Sequence, residues 1–149
     1  RFNFFDMSAP IFTRPRFLPA SKINGAHINH AIISDGCIIN HATISDSIIG
    51  VRSSVGAGST LERVILLGSD YYESQASILE NEVLGKPRIG IGQNTRIDNA
   101  IIDKNAHIGT GVRVLNEQRV QNWDGPGYYI RDGIVIVPKN GVLPNGTVI

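Results

Sequence analysis

The sequence predicts an all-β protein, a solenoid in which short parallel strands wind into stacked triangular coils. Four related phrases support this fold: INHAII (28–33), ISDSII (44–49), LERVIL (61–66) and IDNAII (97–102). Apolar residues recur every five or six positions, a spacing that neither a helix nor a long alternating strand produces. It is typical of the hexapeptide type of parallel β-helix. The recurring residues are Ile33, Ile38, Ile44, Ile49, Val55, Leu61 and Leu66.

Each predicted coil presents a branched residue inward on each side and a small residue near each corner. Because a single coil cannot bury its own apolar edge, coils must stack, and the terminal coils need caps. We expect this stack to cover residues 23–149 as one domain. Four branched residues, Ile33, Ile49, Leu66 and Ile102, should point inward.

Residues 1–22 differ from the repeat, because they contain three prolines and all five phenylalanines of the chain. Prolines at this density prevent a helix. We therefore predict an extended connector whose aromatic side chains, those of Phe2, Phe4, Phe5 and Phe12, lie against an apolar surface. The chain opens like the middle of a protein, so we expect it to be a carboxy-terminal piece of a longer one.

The repeat is interrupted between Leu61 and Ile97, which are 36 residues apart, or about two coils. Within this gap, residues 74–84 are good helix formers and charged residues, so we expect an inserted loop with a short helix. Repeat proteins place such insertions on one face, often the working face. Near the end of the chain, residues 124–127 predict a turn and residues 133–137 predict a strand.

Composition excludes several classes of function. The formal net charge of +1 gives no reason to expect a nucleic-acid or membrane partner. The single cysteine, Cys37, excludes an internal disulfide, fits a reducing compartment and is expected in a column of small residues. No apolar run approaches the roughly 20 residues that span a bilayer. The glycines of IGIGQN (89–94) and VGAGST (55–60) are expected to serve tight corners rather than a phosphate loop.

No catalytic or metal site is evident, and none is predicted. The sequence has no nucleophile–base pair, no GxSxG motif and no P-loop. The histidines lack a second cluster of carboxylates or cysteines, so we expect them to face solvent rather than a metal. They are His27, His30, His41 and His107.

Four basic residues offer a more specific hypothesis. Lys104, in AIIDKNAHIG (100–109), and Lys139 each follow an apolar strand at a predicted corner, whereas Arg14 and Arg16 flank a proline in the connector. Converging lysine and arginine side chains can hold a phosphate or a carboxylate. The alternative is that all four are solubilising surface charges, and spacing alone leaves both interpretations open.

The chain as a whole resembles the carboxy-terminal domain of the ADP-glucose pyrophosphorylases (glucose-1-phosphate adenylyltransferases), in the cyanobacterial and plant branch. The combination of SAPIFTRPR, DYYE and AIIDKNA is specific, whereas the hexad pattern alone is shared with many acyltransferases and sugar nucleotidyltransferases. Five stretches carry the resemblance: FFDMSAPIFTRPRFLPASK (4–22), GCIINHATISDSIIGVRSSVGAGSTLE (36–62), GSDYYE (68–73), IGIGQNTRIDNAIIDKNAHIG (89–109) and GYYIRDGIVIVPKNGVLPNGTVI (127–149).

The resemblance implies a left-handed parallel β-helix that is not itself catalytic. The parent enzyme forms ADP-glucose and pyrophosphate from ATP and glucose 1-phosphate with Mg²⁺, for glycogen or starch synthesis. Catalysis belongs to an amino-terminal nucleotidyltransferase domain, on which this domain packs. The expected partners are that domain, the other subunits of a homo- or heterotetramer, and two effectors, the activator 3-phosphoglycerate and the inhibitor phosphate. The expected location is the cytoplasm of a bacterium or the plastid stroma.

The resemblance also assigns an allosteric anion site. Lys104 and Lys139 match the two activator-site lysines of the family, and Asp103 and Arg16 match residues that line the same pocket. Arg14 stands where the family often has glutamine.

Two other functions are compatible with the repeat. A free-standing acyltransferase of hexapeptide type would have a catalytic histidine in a deep cleft between subunits of a trimer. A scaffold would have no small-molecule site at all.

Overall fold

The computed structural model describes residue 3 and residues 5–149. This part of the chain contains fourteen strands and one helix, so the all-β class is confirmed. Phe2 and Phe4, two of the predicted contact residues of the connector, lie outside the described residues. The elements are β1 (Lys22–Asn24), β2 (His27–Ile33), β3 (Ile38–Asn40), β4 (Thr43–Ile49), β5 (Ser54–Val55), β6 (Thr60–Leu66), α1 (Gln75–Val83), β7 (Gly90–Ile91), β8 (Arg96–Ile102), β9 (His107–Ile108), β10 (Arg113–Val114), β11 (Asn122–Gly125), β12 (Tyr128–Arg131), β13 (Ile134–Val137) and β14 (Val142–Leu143).

The four repeated phrases are four neighbouring parallel strands, β2, β4, β6 and β8. Their first apolar residues are in register, since Ile28 pairs with Ile44, Ile44 with Leu61, and Leu61 with Ile97. β6 pairs directly with β8, although the 36 residues between Leu61 and Ile97 correspond in length to about two coils. The 36-residue gap is one coil enlarged by an insertion.

Each of these seven-residue strands bends at its fourth residue, where the backbone enters the left-handed region. The bend divides a strand into two flat halves, and the short strands β1, β3, β5, β7, β9 and β14 form a separate parallel sheet. The chain thus alternates between a short strand and a bent long strand, which gives three flat segments in each repeat. The residues at the bends are His30 (φ 51°), Asp46 (φ 48°), Arg63 (φ 52°) and Asn99 (φ 52°).

The core lies between the two sheets and consists largely of branched side chains. Ile49, Leu66 and Ile102 are buried as predicted, whereas Ile33 is only half-buried because β2 is an edge strand. The expectation that Ile38 points inward is wrong: its side chain is 41% exposed, and the next residue, Ile39, is fully buried. Adjacent isoleucines in a strand face opposite ways, so spacing alone left the choice open by one residue.

Small residues at the corners allow neighbouring coils to approach closely. A Cβ on Gly92, in IGIGQN, would lie 2.5 Å from the carbonyl carbon of Gly109, so this corner needs glycine, as predicted. Cys37 is buried, and its backbone N–H donates to the hydroxyl of Ser21 one coil away, at 3.1 Å. The cysteine therefore occupies a column of small residues, as expected.

The end of the chain departs from the predicted parallel stack. β11 and β12 form an antiparallel hairpin around the predicted turn, and β12 also pairs antiparallel with β13. Parallel pairing then resumes, since β13 pairs with β8 and β14 pairs with β9. The expectation of parallel coils throughout residues 23–149 is wrong for this hairpin, because a tight turn reverses the chain and returns it beside the strand that it has just left.

The inserted segment forms the expected short helix, α1. Its first turn is capped by Ser74, whose hydroxyl accepts a hydrogen bond from the backbone N–H of Ser77. None of the helical residues is buried, and Leu79 and Val83 are 55% and 88% exposed. The helix therefore adds no side chain to the core.

The connector carries no strand among its described residues before β1. Phe5, Phe12 and Phe17 are each about nine-tenths exposed, at 89%, 92% and 95%. The connector is anchored near its end, where the backbone N–H of Gly36 donates to the carbonyl of Pro19 at 2.9 Å. The division into a connector over residues 1–22 and a domain over residues 23–149 stays a prediction.

The outer face of the long strands carries a row of isoleucines. Ile32, Ile48 and Ile65 are in register on β2, β4 and β6, and they are 50%, 42% and 39% exposed.

Across the described residues, no helix is long and apolar enough to cross a membrane.

Candidate anion-binding site

Lys104 and Lys139 occupy equivalent corners of two stacked coils. β8 and β13 are in register at Ile102 and Val137, and each lysine comes two residues after its strand. The two corners touch, because the backbone N–H of Asn140 donates to the carbonyl of Lys104 at 3.0 Å. The expectation that these lysines converge, although 35 residues separate them in sequence, therefore has a structural basis in the stacking of the coils.

The corners are fixed by the residues that follow the lysines. Asn105 and Asn140 have φ values of 58° and 59°, in the left-handed region that asparagine tolerates better than most residues. Asn105 is also buried. Each ammonium group therefore extends from a turn of defined geometry.

One carboxylate joins the two lysines. The ammonium of Lys104 donates to Oδ1 of Asp70 at 3.1 Å, and the ammonium of Lys139 donates to Oδ2 at 2.7 Å. Asn105 contributes a third donor, since its Nδ2 lies 3.1 Å from Oδ2. Its own Oδ1 accepts a hydrogen bond from the backbone N–H of Asp70 at 2.8 Å. The two ammonium groups thus meet at a single anion.

The electrostatics of the cluster follow from these contacts. Hydrogen bonds from Lys139, Lys104 and Asn105 hold the pKa of Asp70 well below its usual range. The hydrogen bond and the charge of Asp70 raise the pKa of Lys139, and the nearby charge of Asp103 adds to that effect. The side chains of Asp70 and Lys104 are both 37% exposed, so a soluble anion has access to the ammonium groups.

Asp70 is positioned by the start of the insertion. The carbonyl of Gly68 accepts a hydrogen bond from the backbone N–H of Asn105 at 3.1 Å. The next residue, Ser69, is buried, and its N–H donates to the carbonyl of Val51 at 2.8 Å. The backbone is therefore held by the coil up to Asp70, and only the side chain extends from it toward the lysines.

Arg52 is a further cation beside this segment. Its guanidinium donates to the carbonyl of Ser69 at 3.2 Å and lies 5.9 Å from the centre of the Tyr72 ring. The hydroxyl of Tyr72 donates in turn to the carbonyl of Gly36 at 2.8 Å. Arg52 and Tyr72 thus hold the beginning of the insertion against two successive corners.

The remaining predicted site residues are divided between two places. Asp103 is at the corner, where its Oδ1 accepts a hydrogen bond from the backbone N–H of Lys104 at 2.6 Å. Arg14 and Arg16 are exposed in the connector, and the guanidinium of Arg16 donates to the carbonyl of Arg14 at 3.4 Å. Within the described residues, no ion pair joins either arginine to Asp70, the carboxylate that the two lysines share, or to Asp103. Their role in the site stays a prediction.

Sequence reasoning missed Asp70 and Asn105 as members of the site. Asp70 is 34 residues from Lys104 and 69 from Lys139, so no local spacing connects them. The only available signal was GSDYYE (68–73), which carried the family resemblance but suggested no role for its acid.

The histidines differ from the expectation in one case. His27, His30 and His41 are exposed, but His107 is buried, with its Nδ1 2.7 Å from the carbonyl of Pro87. The prediction of a solvent-facing side chain is wrong for His107, because the return of the insertion covers it. Burial lowers the pKa of this imidazole. Among the described residues, no group of three histidine, cysteine or acidic side chains could hold a metal ion.

Comparison with known proteins agrees with this architecture. A family model, the GLGC left-handed parallel beta-helix domain, matches residues 16–148. The chain is similar to the glucose-1-phosphate adenylyltransferase small subunit, chloroplastic/amyloplastic, of Triticum aestivum, with 45% identity over 150 residues. This alignment covers 99% of the chain but 32% of the relative, so the chain spans about a third of that protein's length. The chain belongs to the family of the GLGC left-handed parallel beta-helix domain.

Proposed function

We propose that this chain is the carboxy-terminal regulatory and assembly domain of a glucose-1-phosphate adenylyltransferase. The proposal rests on the 45% identity to such a subunit along nearly the whole chain. The enzyme would form ADP-glucose and pyrophosphate from ATP and glucose 1-phosphate, for glycogen or starch synthesis. An amino-terminal nucleotidyltransferase domain would carry out this reaction with Mg²⁺ and ATP, and the present chain would be non-catalytic.

We infer that the two sheets are the faces of one left-handed solenoid of hexapeptide type, preceded by the connector. β2, β4, β6 and β8 pair in parallel register, and each bends at a residue with a positive φ value. Both observations support triangular coils. The name of the matching family supports the hand.

Within that enzyme, the lysine pair would bind the effectors. The observation that carries this step is the convergence of the Lys104 and Lys139 ammonium groups on the two oxygens of one carboxylate. A phosphoryl group or carboxylate of 3-phosphoglycerate, or inorganic phosphate, presents similar oxygens. Asp103 would line the site from the same corner, and Arg16 and Arg14 would join it if the connector folded back. Effector binding would then bias the arrangement of the two domains.

The test is the response of the intact protein to 3-phosphoglycerate. Lys104→Ala or Lys139→Ala should raise the concentration needed for half-maximal activation by about tenfold or more, since a hydrogen bond to a charged group contributes about 1.5–3 kcal/mol. Unstimulated activity should change little. Glutamate at either position should be worse than alanine, because it adds repulsion.

A matched control is Lys22→Ala, which removes an exposed lysine from β1. This variant should respond as the parent does. If both alanine variants at the site also respond as the parent does to 3-phosphoglycerate and to phosphate, Lys104 and Lys139 are solubilising surface charges.

The partners would be the catalytic domain of the same chain and the other subunits of a tetramer. The Triticum aestivum relative is itself named a small subunit. Exposed apolar side chains on the connector and on the outer face of the long strands support contacts with further protein, because isolated domains rarely expose such rows. The same relative is named chloroplastic/amyloplastic, which supports the plastid stroma, with the bacterial cytoplasm as the alternative.

A further inference from the structure

The lysine pair already holds an anion that belongs to the chain itself. Asp70 accepts hydrogen bonds from Lys104, Lys139 and Asn105, and its two oxygens are shared among these three donors. With Asp103 at the same corner, the two ammonium charges are matched by two carboxylate charges. A soluble anion that approaches the lysines therefore meets a cluster that carries no net formal charge.

We propose that Asp70 is an internal counter-anion that competes with the effector for Lys104 and Lys139, and that it thereby selects for ligands bearing a phosphoryl dianion. The inference rests on the proposed function, because it takes the two lysines as the effector site.

Selectivity follows from what each competitor offers the lysines. A soluble monocarboxylate presents the same group as Asp70 but lacks the tether, and a tethered group acts at an effective concentration in the millimolar range or above. Such a ligand cannot displace Asp70 at lower concentration. A phosphoryl group carries about −1.5 to −2 charges and three acceptor oxygens. It therefore offers the two lysines more negative charge and more acceptor oxygens than the carboxylate of Asp70 does.

The structure also allows Asp70 to leave without disturbing the coil. Its backbone N–H is held by Asn105, and the preceding residue, Ser69, is buried and hydrogen-bonded to Val51. Rotation of the Asp70 side chain would free both ammonium groups while these anchors remain. On the other side of Asp70, Tyr71 and Tyr72 are 54% and 48% exposed and lead toward α1.

The experiment compares the intact protein with its Asp70→Asn variant, using inorganic phosphate and acetate as probes in calorimetric titrations. Asparagine keeps the shape of the side chain but removes its charge. We expect phosphate to bind at least about tenfold more tightly to the variant, which corresponds to about 1.4 kcal/mol. We also expect a larger gain for acetate, so that the preference for phosphate over acetate falls.

The control is Asp35→Asn, which removes the same charge from another exposed corner of the stack. It should leave both affinities within about twofold of the parent's, because Asp35 makes none of the contacts that hold Lys104 and Lys139. Asp70→Ala, which removes all of the side-chain hydrogen bonds, provides a second test and should also bind phosphate more tightly.

The outcomes separate this inference from the proposed function. If Asp70→Asn and Asp70→Ala bind phosphate as weakly as the parent does or more weakly, while Lys104→Ala and Lys139→Ala lose phosphate binding, Asp70 merely orders the lysines. The inference is then overturned and the effector site stands. If the lysine variants bind phosphate as the parent does, the effector site itself is wrong, and the role of Asp70 falls with it.

Discussion

The coil and the insertion belong to the same chain but differ in what stabilises them. In the coil, a strand such as β8 buries Ile97 and Ile102 completely and pairs with a neighbour on each side. In the insertion, α1 buries no residue, and its stability depends on hydrogen bonds: those of the helix itself, the cap at Ser74, and the bond that Nδ2 of Asn81 donates to Glu73 at 2.9 Å. The candidate anion site lies where the two meet, because the lysines belong to the coil and Asp70 to the start of the insertion. The difference indicates that the coil fixes positions, while the insertion supplies the group that can move.

The sharpest test of this contrast is a pair of side-chain truncations to alanine, one in the coil and one in α1. Ile97→Ala should destabilise the protein by about 2–5 kcal/mol, because it leaves a cavity among fully buried side chains. Leu79→Ala in α1 should change the free energy of unfolding by less than about 0.5 kcal/mol, since its side chain is 55% exposed. Denaturant titration of both variants measures the difference. Similar losses would mean that α1 is packed against protein.

A smaller effect is expected at His107, where the coil meets the end of the insertion. Burial lowers its pKa, so the unfolded chain binds the proton more readily than the folded chain. This contribution to stability is complete above the ordinary value of about 6.5 and is lost as the pH falls below it toward the lowered folded value. We expect His107→Gln, which can still donate to the carbonyl of Pro87, to reduce the loss of stability between about pH 7 and about pH 5.

The matched control for this pH profile is His27→Gln, because His27 is exposed. Its curve of unfolding free energy against pH should follow that of the parent protein. If the His107 variant also follows the parent curve, the imidazole does not contribute to the acid sensitivity of the fold.

The smallest effect is expected at the cap of α1. Ser74→Ala removes the acceptor for the N–H of Ser77 and should weaken the helix by about 1 kcal/mol. Because α1 buries nothing, faster hydrogen exchange should be confined to its amides, and the midpoint of global unfolding should stay unchanged. A shift of that midpoint would show that the helix and the coil unfold together.

The stacked part of the fold was predictable because its pattern is periodic and local. Ile44, Leu61 and Ile97 begin repeated phrases, and these phrases are the strands that pair in register. The choice between Ile38 and Ile39 failed because a spacing of five or six positions leaves an uncertainty of one residue. In a strand, a shift of one residue places the side chain on the opposite face of the sheet. The hairpin of β11 and β12 was missed because a turn signal predicts a reversal but does not identify the strands that pair.

The candidate site could be predicted only in part, because its residues come from both the repeat and the insertion. Lys104 and Lys139 follow strands of the repeat, so their stacking follows from the fold. Asp70 comes from the insertion, whose position relative to the corners depends on tertiary contacts of Ser69 and Asn105. The burial of His107 beneath Pro87 was unpredictable on the same ground, since residues of the insertion provide the cover.

The direct pairing of β6 with β8 has an evolutionary consequence. The insertion leaves one rung of the ladder and returns to the next, so the stacking of the coils does not depend on its length or composition. Residues 74–86 can therefore diverge, lengthen or be exchanged for a segment from another protein while the lysine corners stay in place. The excursion is tied to the ladder at its two ends, at Asp70 and Tyr72 where it leaves and at Pro87 where it returns. A scaffold of this kind separates the part of a sequence that must be kept from the part that is free to change and to acquire a new regulatory role.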